Sequence, residues 1–350
     1  MHKKNNCLYI FPSNLEHEGI NVKLNGQVDA LRTAYNTRLV TLKYRRHESP
    51  IRILLALLTF ELKTVFWSLL TPTIYMRYNP KTPYIMILLS FLSWFGKRIY
   101  IEHNTLLDEE LTFLGRKSEK FLHHFIMGFL RFSRFIHLCV NDELREHLIR
   151  DFKTSPKRTR YIQNGFSMPT INSDTIDLDV VKHVKGLKKP GKKIAIFTGN
   201  GYPWHGLNEI VELLRNRDYV ELVVAGPYKS ENMPQNIHLM GKMNTSTLYT
   251  LYDLSDFAIS TFRWDMLNIT QGSPLKTREY LCMGLPILVH YYDCAMDFES
   301  LHPYIFNYAD GPSALDDIIN LDVDKKVLGK EALSVLSWTS LWKDSILKNV

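Results

Sequence analysis

The stretch Gln271–Val289, QGSPLKTREYLCMGLPILV, decides the fold. Ser273 can cap a helix, and Pro274 suits the first helical position, where its missing N–H is not needed. Gly284 can end the helix in a left-handed conformation, with Pro286 just beyond. The apolar run Ile287–Val289 then reads as a buried strand. Lys276 falls in the first turn, and Glu279 lies one turn further on the same face. A cation in the first turn opposes the helix dipole. That placement makes sense when an anion sits there, held by free N–H groups and the ammonium together. Glu279 is placed to accept hydrogen bonds from hydroxyls. A phosphate near a cation and a diol near a carboxylate describe a nucleoside diphosphate with its ribose. The bland alternative is an ordinary helix–strand unit with a surface lysine.

Upstream of this stretch, strands alternate with helices. Lys193–Thr198 (KIAIFT) reads as a buried strand, followed by Gly199-Asn200-Gly201 and a helix from about Leu207 to Arg215. Two glycines at a strand-to-helix turn let backbone N–H groups approach an anion. Val220–Ala225 is the next strand, ending in Gly226. Ile237–Met240 follows, with Gly241-Lys242-Met243, then a helix Thr247–Leu254 and a strand Phe257–Ser260. The first half repeats the pattern: strands at Cys7–Phe11, Leu39–Leu42, Thr73–Arg77, Arg98–Glu102, Ile136–Val140 and Arg160–Gln163. Pro12–Asn25 reads as a polar loop containing Gly19, with a helix at Val28–Tyr35. This alternation demands parallel sheets covered on both faces. The expected class is α/β with two Rossmann-like doubly wound domains. Residues 1–168 form the first, 169–192 a polar linker with a basic cluster, and 193–328 the second. Residues 329–350 form a C-terminal helix that can cross back to the first domain; its Trp338 and Trp342 serve either that docking or a core.

His103 directly follows the fourth strand of the first half. Ligands of open α/β sheets bind beyond the carboxyl ends of strands. His103 and Glu102 are therefore candidates. Glu102 can equally pair with Arg77, and His103 can be a loop histidine satisfied by backbone.

The chain has 350 residues and a net charge of +7, with a pI near 9.0. This suits an acidic partner. No arginine-rich helix, zinc spacing or aromatic RNA-binding signature accompanies the charge, so nucleic acid is not expected. Cys7, Cys139, Cys282 and Cys294 sit in or beside apolar or aromatic runs with no CxxC pair, which points to buried free thiols and a cytoplasmic setting. No metal site is suggested. The N-terminus does not read as a signal peptide. Ile51–Leu70 is interrupted by Arg52, Glu61 and Lys63 and reads as one or two buried helices, with a helix lying on a membrane surface as the alternative. Ile85–Phe95 is too short to span and too apolar to expect at the surface.

The opening stretch resembles the donor-site signature of retaining GT-B glycosyltransferases, in particular glycosyltransferase family 4-like enzymes of bacterial polysaccharide synthesis. In that family an acidic residue, seven intervening residues and a glutamate flank the sugar diphosphate. The spacing holds from Gln271 to Glu279, although the first member is an amide here. SPLK followed by EYLCMGLPI resembles the bacterial variant, and YIQNGF, residues 161–166, is similar to the segment at which such chains leave the first domain.

The resemblance implies two domains facing across a cleft. Ser273, Pro274, Leu275 and Lys276 would meet the diphosphate and Glu279 the ribose. Gly199, Asn200, Gly201 and His205 would form the diphosphate loop, Gly226 and Met243 would lie beside the nucleotide, and Gln271 and His103 would contact the transferred sugar. Family members usually carry an arginine and a lysine where this chain has Asn200 and His205. The implied reaction is glycosyl transfer with retention, without cofactor or metal. The donor is a nucleotide sugar, and the acceptor a glycan or lipid-linked glycan, in cell-surface polysaccharide synthesis. Peripheral contact with an anionic membrane at the inner face of the plasma membrane fits such an acceptor. A catalytically silent nucleotide-sugar binder and a sugar-nucleotide epimerase share the architecture.

Overall fold

The computed structural model describes residues 4–13, 18–43, 49–229 and 232–349. They form two compact units, Met1–Gln163 with Leu341–Val350, and Asn164–Ser340.

The first unit contains β1 (Asn6–Phe11), α1 (Glu18–Ala34), β2 (Asn36–Thr41), α2 (Pro50–Leu70), β3 (Thr73–Arg77) and α3 (Pro83–Leu92). These are followed by β4 (Arg98–His103), α4 (Leu107–Phe113), α5 (Lys117–Leu130), β5 (Ile136–Cys139), α6 (Asp142–Phe152) and β6 (Thr159–Tyr161). Its six strands pair in the order β2-β1-β3-β4-β5-β6, all parallel.

The second unit contains α7 (Leu178–Leu187), β7 (Lys193–Thr198), α8 (Leu207–Leu214), β8 (Val220–Ala225), β9 (Ile237–Gly241), α9 (Thr245–Leu254) and β10 (Phe257–Ile259). It continues through β11 (Gln271–Gly272), α10 (Leu275–Cys282), β12 (Ile287–Val289), β13 (Tyr292–Asp293), β14 (Ile305–Asn307), α11 (Ser313–Asn320) and α12 (Lys325–Leu336). Its sheet runs β14-β12-β10-β7-β8-β9, again all parallel, and β11 and β13 form a separate parallel ladder. Both units are the doubly wound α/β layers read from the sequence. Central strands such as Ile194–Phe197 and Leu222–Val224 are fully buried. Apolar clusters lie on both faces of the second sheet, which is why these strands read as unbroken apolar runs.

Several local expectations change. Helix α1 begins by Glu18, so Gly19 lies in a helix rather than a polar loop; residues 14–17 of that expected loop lie outside the described residues. Ile51–Leu70 is a single helix, α2, and it is largely exposed: only Phe60, Thr64 and Ser68 are buried. Phe91, Trp94 and Phe95 in or just after α3 are also exposed. High hydropathy alone does not say which face a domain covers. Edge strand β14 and the β11–β13 ladder were too short to show a period.

The four cysteines are buried and free. The two tryptophans separate at a short helix, α13 (Trp338–Trp342). Trp338 packs over Gly165, where an added Cβ would come within 2.8 Å of its ring. Trp342 packs on Tyr75 at 5.2 Å between ring centroids. Beyond it, Tyr35 Oη donates to the Ile346 carbonyl at 3.0 Å.

Candidate nucleotide site in the second unit

Helix α10 starts at Leu275, with Pro274 in the cap position and no side-chain cap. This differs from the expected Ser273 cap. The Ser273 hydroxyl instead accepts a hydrogen bond from the Asn164 backbone N–H at 2.8 Å, and the Asn164 side-chain amide donates to the Ser273 carbonyl. The first turn carries no acidic residue. Its N–H groups are therefore left without a side-chain acceptor, as an anion site requires. The C-terminal end matches the reading: Gly284 has φ of +77°.

Lys276 projects from the first turn of α10 to the carboxyl end of β7. Its Nζ donates to the Thr198 carbonyl at 2.9 Å and lies 4.7 Å from the centre of the Phe197 ring. Burial pushes its pKa down to about 7, against the opposing pull of Glu279. Burial likewise pushes Glu279 up to about 7, opposed by Tyr252 and Lys276. Tyr252 Oη donates to Glu279 Oε2 at 3.1 Å. Lys276 and Glu279 are both half-buried, whereas Tyr252 is fully buried.

The β7 end is fixed by Tyr280. Its hydroxyl accepts from the Thr198 N–H at 2.9 Å and bonds the Thr198 hydroxyl at 2.8 Å. Beyond it, Gly199 has no space for a side chain: a Cβ would sit 2.2 Å from Tyr228 Oη and 2.6 Å from His205 Nδ1. Gly226, at φ +147°, would place a Cβ 2.1 Å from the Gly199 carbonyl oxygen. The two loops thus touch backbone to backbone, and Gly226 N–H also donates to the Gly241 carbonyl at 2.9 Å. Gly226→Ala is expected to cost about 2 kcal/mol or more through overpacking and strain. Thermal melting checks this; an unchanged Tm would mean that the loops do not need this approach.

His205 Nδ1 lies 3.1 Å from Tyr228 Oη. Burial and the Lys276 charge drive its pKa down to about 2. It is therefore a neutral imidazole at neutral pH and brings hydrogen bonding but no positive charge to this loop. Asn200 is exposed, and Met243 is half-buried against the core. Gln271 is half-buried on β11, opposite Tyr292. Gly272 beside it lies against Trp264, whose ring a Cβ would overlap at 1.5 Å.

A buried network supports α10. Arg278 pairs with Asp293, both side chains being inaccessible, and donates to Thr277 Oγ1 at 2.8 Å. Tyr291 Oη donates to Asp293 Oδ2 at 3.0 Å, and Ala295 N–H to Oδ1 at 2.8 Å. Neither Arg278 nor Asp293 stands out in the sequence, because the two lie 15 residues apart with a strand between them. The signal available was an arginine one residue removed from the apolar run Tyr280–Cys282, on the face of α10 that the core covers.

The first unit holds its own polar cluster. His103 is the last residue of β4, is 4% exposed, and stacks on Tyr78 at 5.0 Å. Its Nε2 lies 3.0 Å from His137 Nδ1. It is thus satisfied by a side chain rather than by backbone. Burial, with His137, His123 and His147, holds its pKa well below the usual histidine value. Glu102 forms its ion pair with Lys23 at 2.8 Å and accepts from Gln27 Nε2 at 2.9 Å, while Arg77, its register neighbour on β3, acts on it through charge. Burial works to raise the Glu102 pKa, but Lys23 and Arg77 outweigh it and lower it. Nearby, Asp108 lies 2.6 Å from His124 Nε2 and 3.5 Å from His147 Nε2. Among the described residues no group of His, Cys, Asp or Glu is arranged to hold a metal ion.

No family model matches the chain, and no curated protein matches it in sequence. Solved structures do match it in fold. Sucrose-phosphate synthase from Thermosynechococcus elongatus superposes with a TM-score of 0.62 at 11% identity, covering 97% of this chain and 96% of that one. The WaaG glycosyltransferase of lipopolysaccharide biosynthesis gives 0.56 at 10% identity, with 98% and 96% covered. The chain has the GT-B fold. Anabaena HepE in complex with UDP and glucose also matches, with a TM-score of 0.58 at 12% identity over 97% of this chain and 94% of that one. The GT-B architecture is not restricted to transferases: a protein described as a UDP-N-acetylglucosamine 2-epimerase from Listeria monocytogenes matches at 0.52 and 13% identity, with 98% and 95% covered.

Proposed function

We propose that this protein is a glycosyltransferase that takes a sugar from a nucleoside diphosphate donor and passes it to a glycan or lipid-linked glycan. The observation that carries the reading is Lys276 at an uncapped helix N-terminus, reaching the end of β7, with Glu279 one turn deeper. The sugar–nucleotide complexes among the GT-B neighbours support it.

In this reading the α10 N–H groups and Lys276 stabilise charge as it develops on the leaving diphosphate. Glu279 accepts from the ribose hydroxyls, and Gln271 meets the transferred sugar. An amide at 271 cannot act as a carboxylate nucleophile. Retention would then follow from attack on the face the phosphate leaves, with that phosphate taking the acceptor proton. The reaction needs no metal or cofactor in this scheme.

Above pH 8, where the Glu279 carboxylate is ionised, Glu279→Gln is expected to lower discrimination between ribo- and 2′,3′-dideoxynucleoside diphosphates by about 10-fold or more, because hydrogen bonds to a charged acceptor contribute about 1.5–3 kcal/mol. Calorimetric titration with both ligands measures this; equal discrimination in the two proteins would remove Glu279 from the ribose site.

Incubating the protein with a panel of nucleotide sugars and glycan or lipid-linked acceptors tests the function. Acceptor-dependent release of nucleoside diphosphate supports transfer. Interconversion of the sugar while it stays on the nucleotide would instead identify an epimerase. Tight nucleotide binding without either reaction would identify a silent binder.

A further inference from the structure

We infer that the outer face of α2, α3 and α5 docks the first unit onto an anionic lipid bilayer. This goes beyond glycosyl transfer and does not depend on it. Helix α2 has 21 residues, with a mean hydropathy of 1.8 over its most apolar 18, and at 1.5 Å per residue it is about 31 Å long. Its sidedness is inverted. The residues turned inward include Thr64 and Ser68, whose buried hydroxyls have no hydrogen-bond partner. The residues turned outward include Leu54, Leu62 and Phe66, exposed by 56%, 70% and 55%. A helix selected for water would show the opposite arrangement.

The apolar surface continues across the neighbouring helices. Helix α3 packs against both α2 and α5. Phe91, Trp94 and Phe95 are exposed in and just after α3. On α5, Phe121, Phe125 and Phe129 recur every four residues and form one exposed stripe, while His123, Ile126 and Met127 face inward. Apolar surface on this scale marks an interaction site.

The charges at its border choose the partner. Arg134 lies 4.3 Å over the Trp94 ring, and Arg131 lies 4.6 Å over Phe132. Both arginines are exposed, as are Arg52 and Lys63 on α2. Cations beside exposed aromatic rings suit the headgroup region of an anionic leaflet. A second copy of the chain would bring the same cations to the contact. Helix α2 is held flat against the unit: Phe60, Thr64 and Ser68 pack inward, and Arg38 stacks on Trp67 at 3.4 Å. The geometry therefore suits a helix lying in the interface rather than one crossing it.

Sedimentation of the full chain with vesicles tests the inference. It is expected to pellet with vesicles containing phosphatidylglycerol, to bind pure phosphatidylcholine at least 10-fold more weakly, and to be released by alkaline carbonate. Leu62→Glu with Phe125→Glu, both at exposed positions, should lower binding at least 10-fold with an unchanged Tm. Arg131→Glu with Arg134→Glu should remove the preference for the anionic lipid. The inference is overturned if the wild-type chain stays in the supernatant, binds both lipids equally, or resists carbonate extraction. It is also overturned if the Leu62/Phe125 variant converts a dimer to a monomer while vesicle binding is unchanged.

Discussion

Replacing Lys276 by alanine is expected to weaken nucleoside diphosphate binding by about 10- to 100-fold, the range of a charge-assisted hydrogen bond. Lys188→Ala, on the exposed end of α7, should leave it unchanged. The free ammonium is already partly desolvated: its Nζ donates to the neutral Thr198 carbonyl and lies over the Phe197 ring, and the pull of Glu279 does not offset its burial. An arriving diphosphate supplies the counter-charge. This has a pH signature. Burial holds Lys276 near 7 in the free protein, and a bound anion raises its pKa. Binding therefore takes up a proton above pH 7, and affinity falls as pH rises from 7, by up to 10-fold per unit until the bound-state pKa is passed. Calorimetry in buffers of different ionisation enthalpy reads the proton directly. Flat affinity between pH 7 and 9, or equal losses from Lys276→Ala and Lys188→Ala, would place the phosphate elsewhere.

The second large effect is structural. Arg278→Met is expected to destabilise the protein by about 3–5 kcal/mol, because it leaves the Asp293 carboxylate buried without its cation. In a unit of this size that corresponds to a Tm lower by roughly 10 °C. Adding Asp293→Asn should recover a large part of the loss, since the uncompensated charge is then gone. A thermal melt of both variants checks the pair. A single variant with wild-type Tm would show that the Arg278–Asp293 contact does not hold α10 in place.

The alternation of strands and helices was legible because parallel strands buried on both faces leave unbroken apolar runs. KIAIFT and VELVVA matched β7 and β8 residue for residue. The first-turn lysine and the glutamate a turn deeper were legible because both lie on one helix with fixed periodicity. Their partners were not. Thr198 lies 78 residues from Lys276, and Tyr252 lies 27 from Glu279. Asn164, 109 residues from Ser273, takes the hydroxyl that local chemistry would have given to the helix N-terminus. Similarly, Glu102 takes Lys23 on α1 as its direct ion-pair partner, with Arg77 on the adjacent strand acting through charge, because α1 starts earlier than the polar residues suggest. Helix α2 was recognisable as apolar, but sidedness depends on which of its faces the sheet covers.

The most direct measurement is a crystal structure of the chain with the nucleoside diphosphate that binds it most tightly. The account predicts diphosphate oxygens about 3 Å from Lys276 Nζ and from the first N–H groups of α10, with the ribose hydroxyls on Glu279. A nucleotide seated elsewhere, with Lys276 still on the Thr198 carbonyl and Glu279 touching only Tyr252, would contradict it.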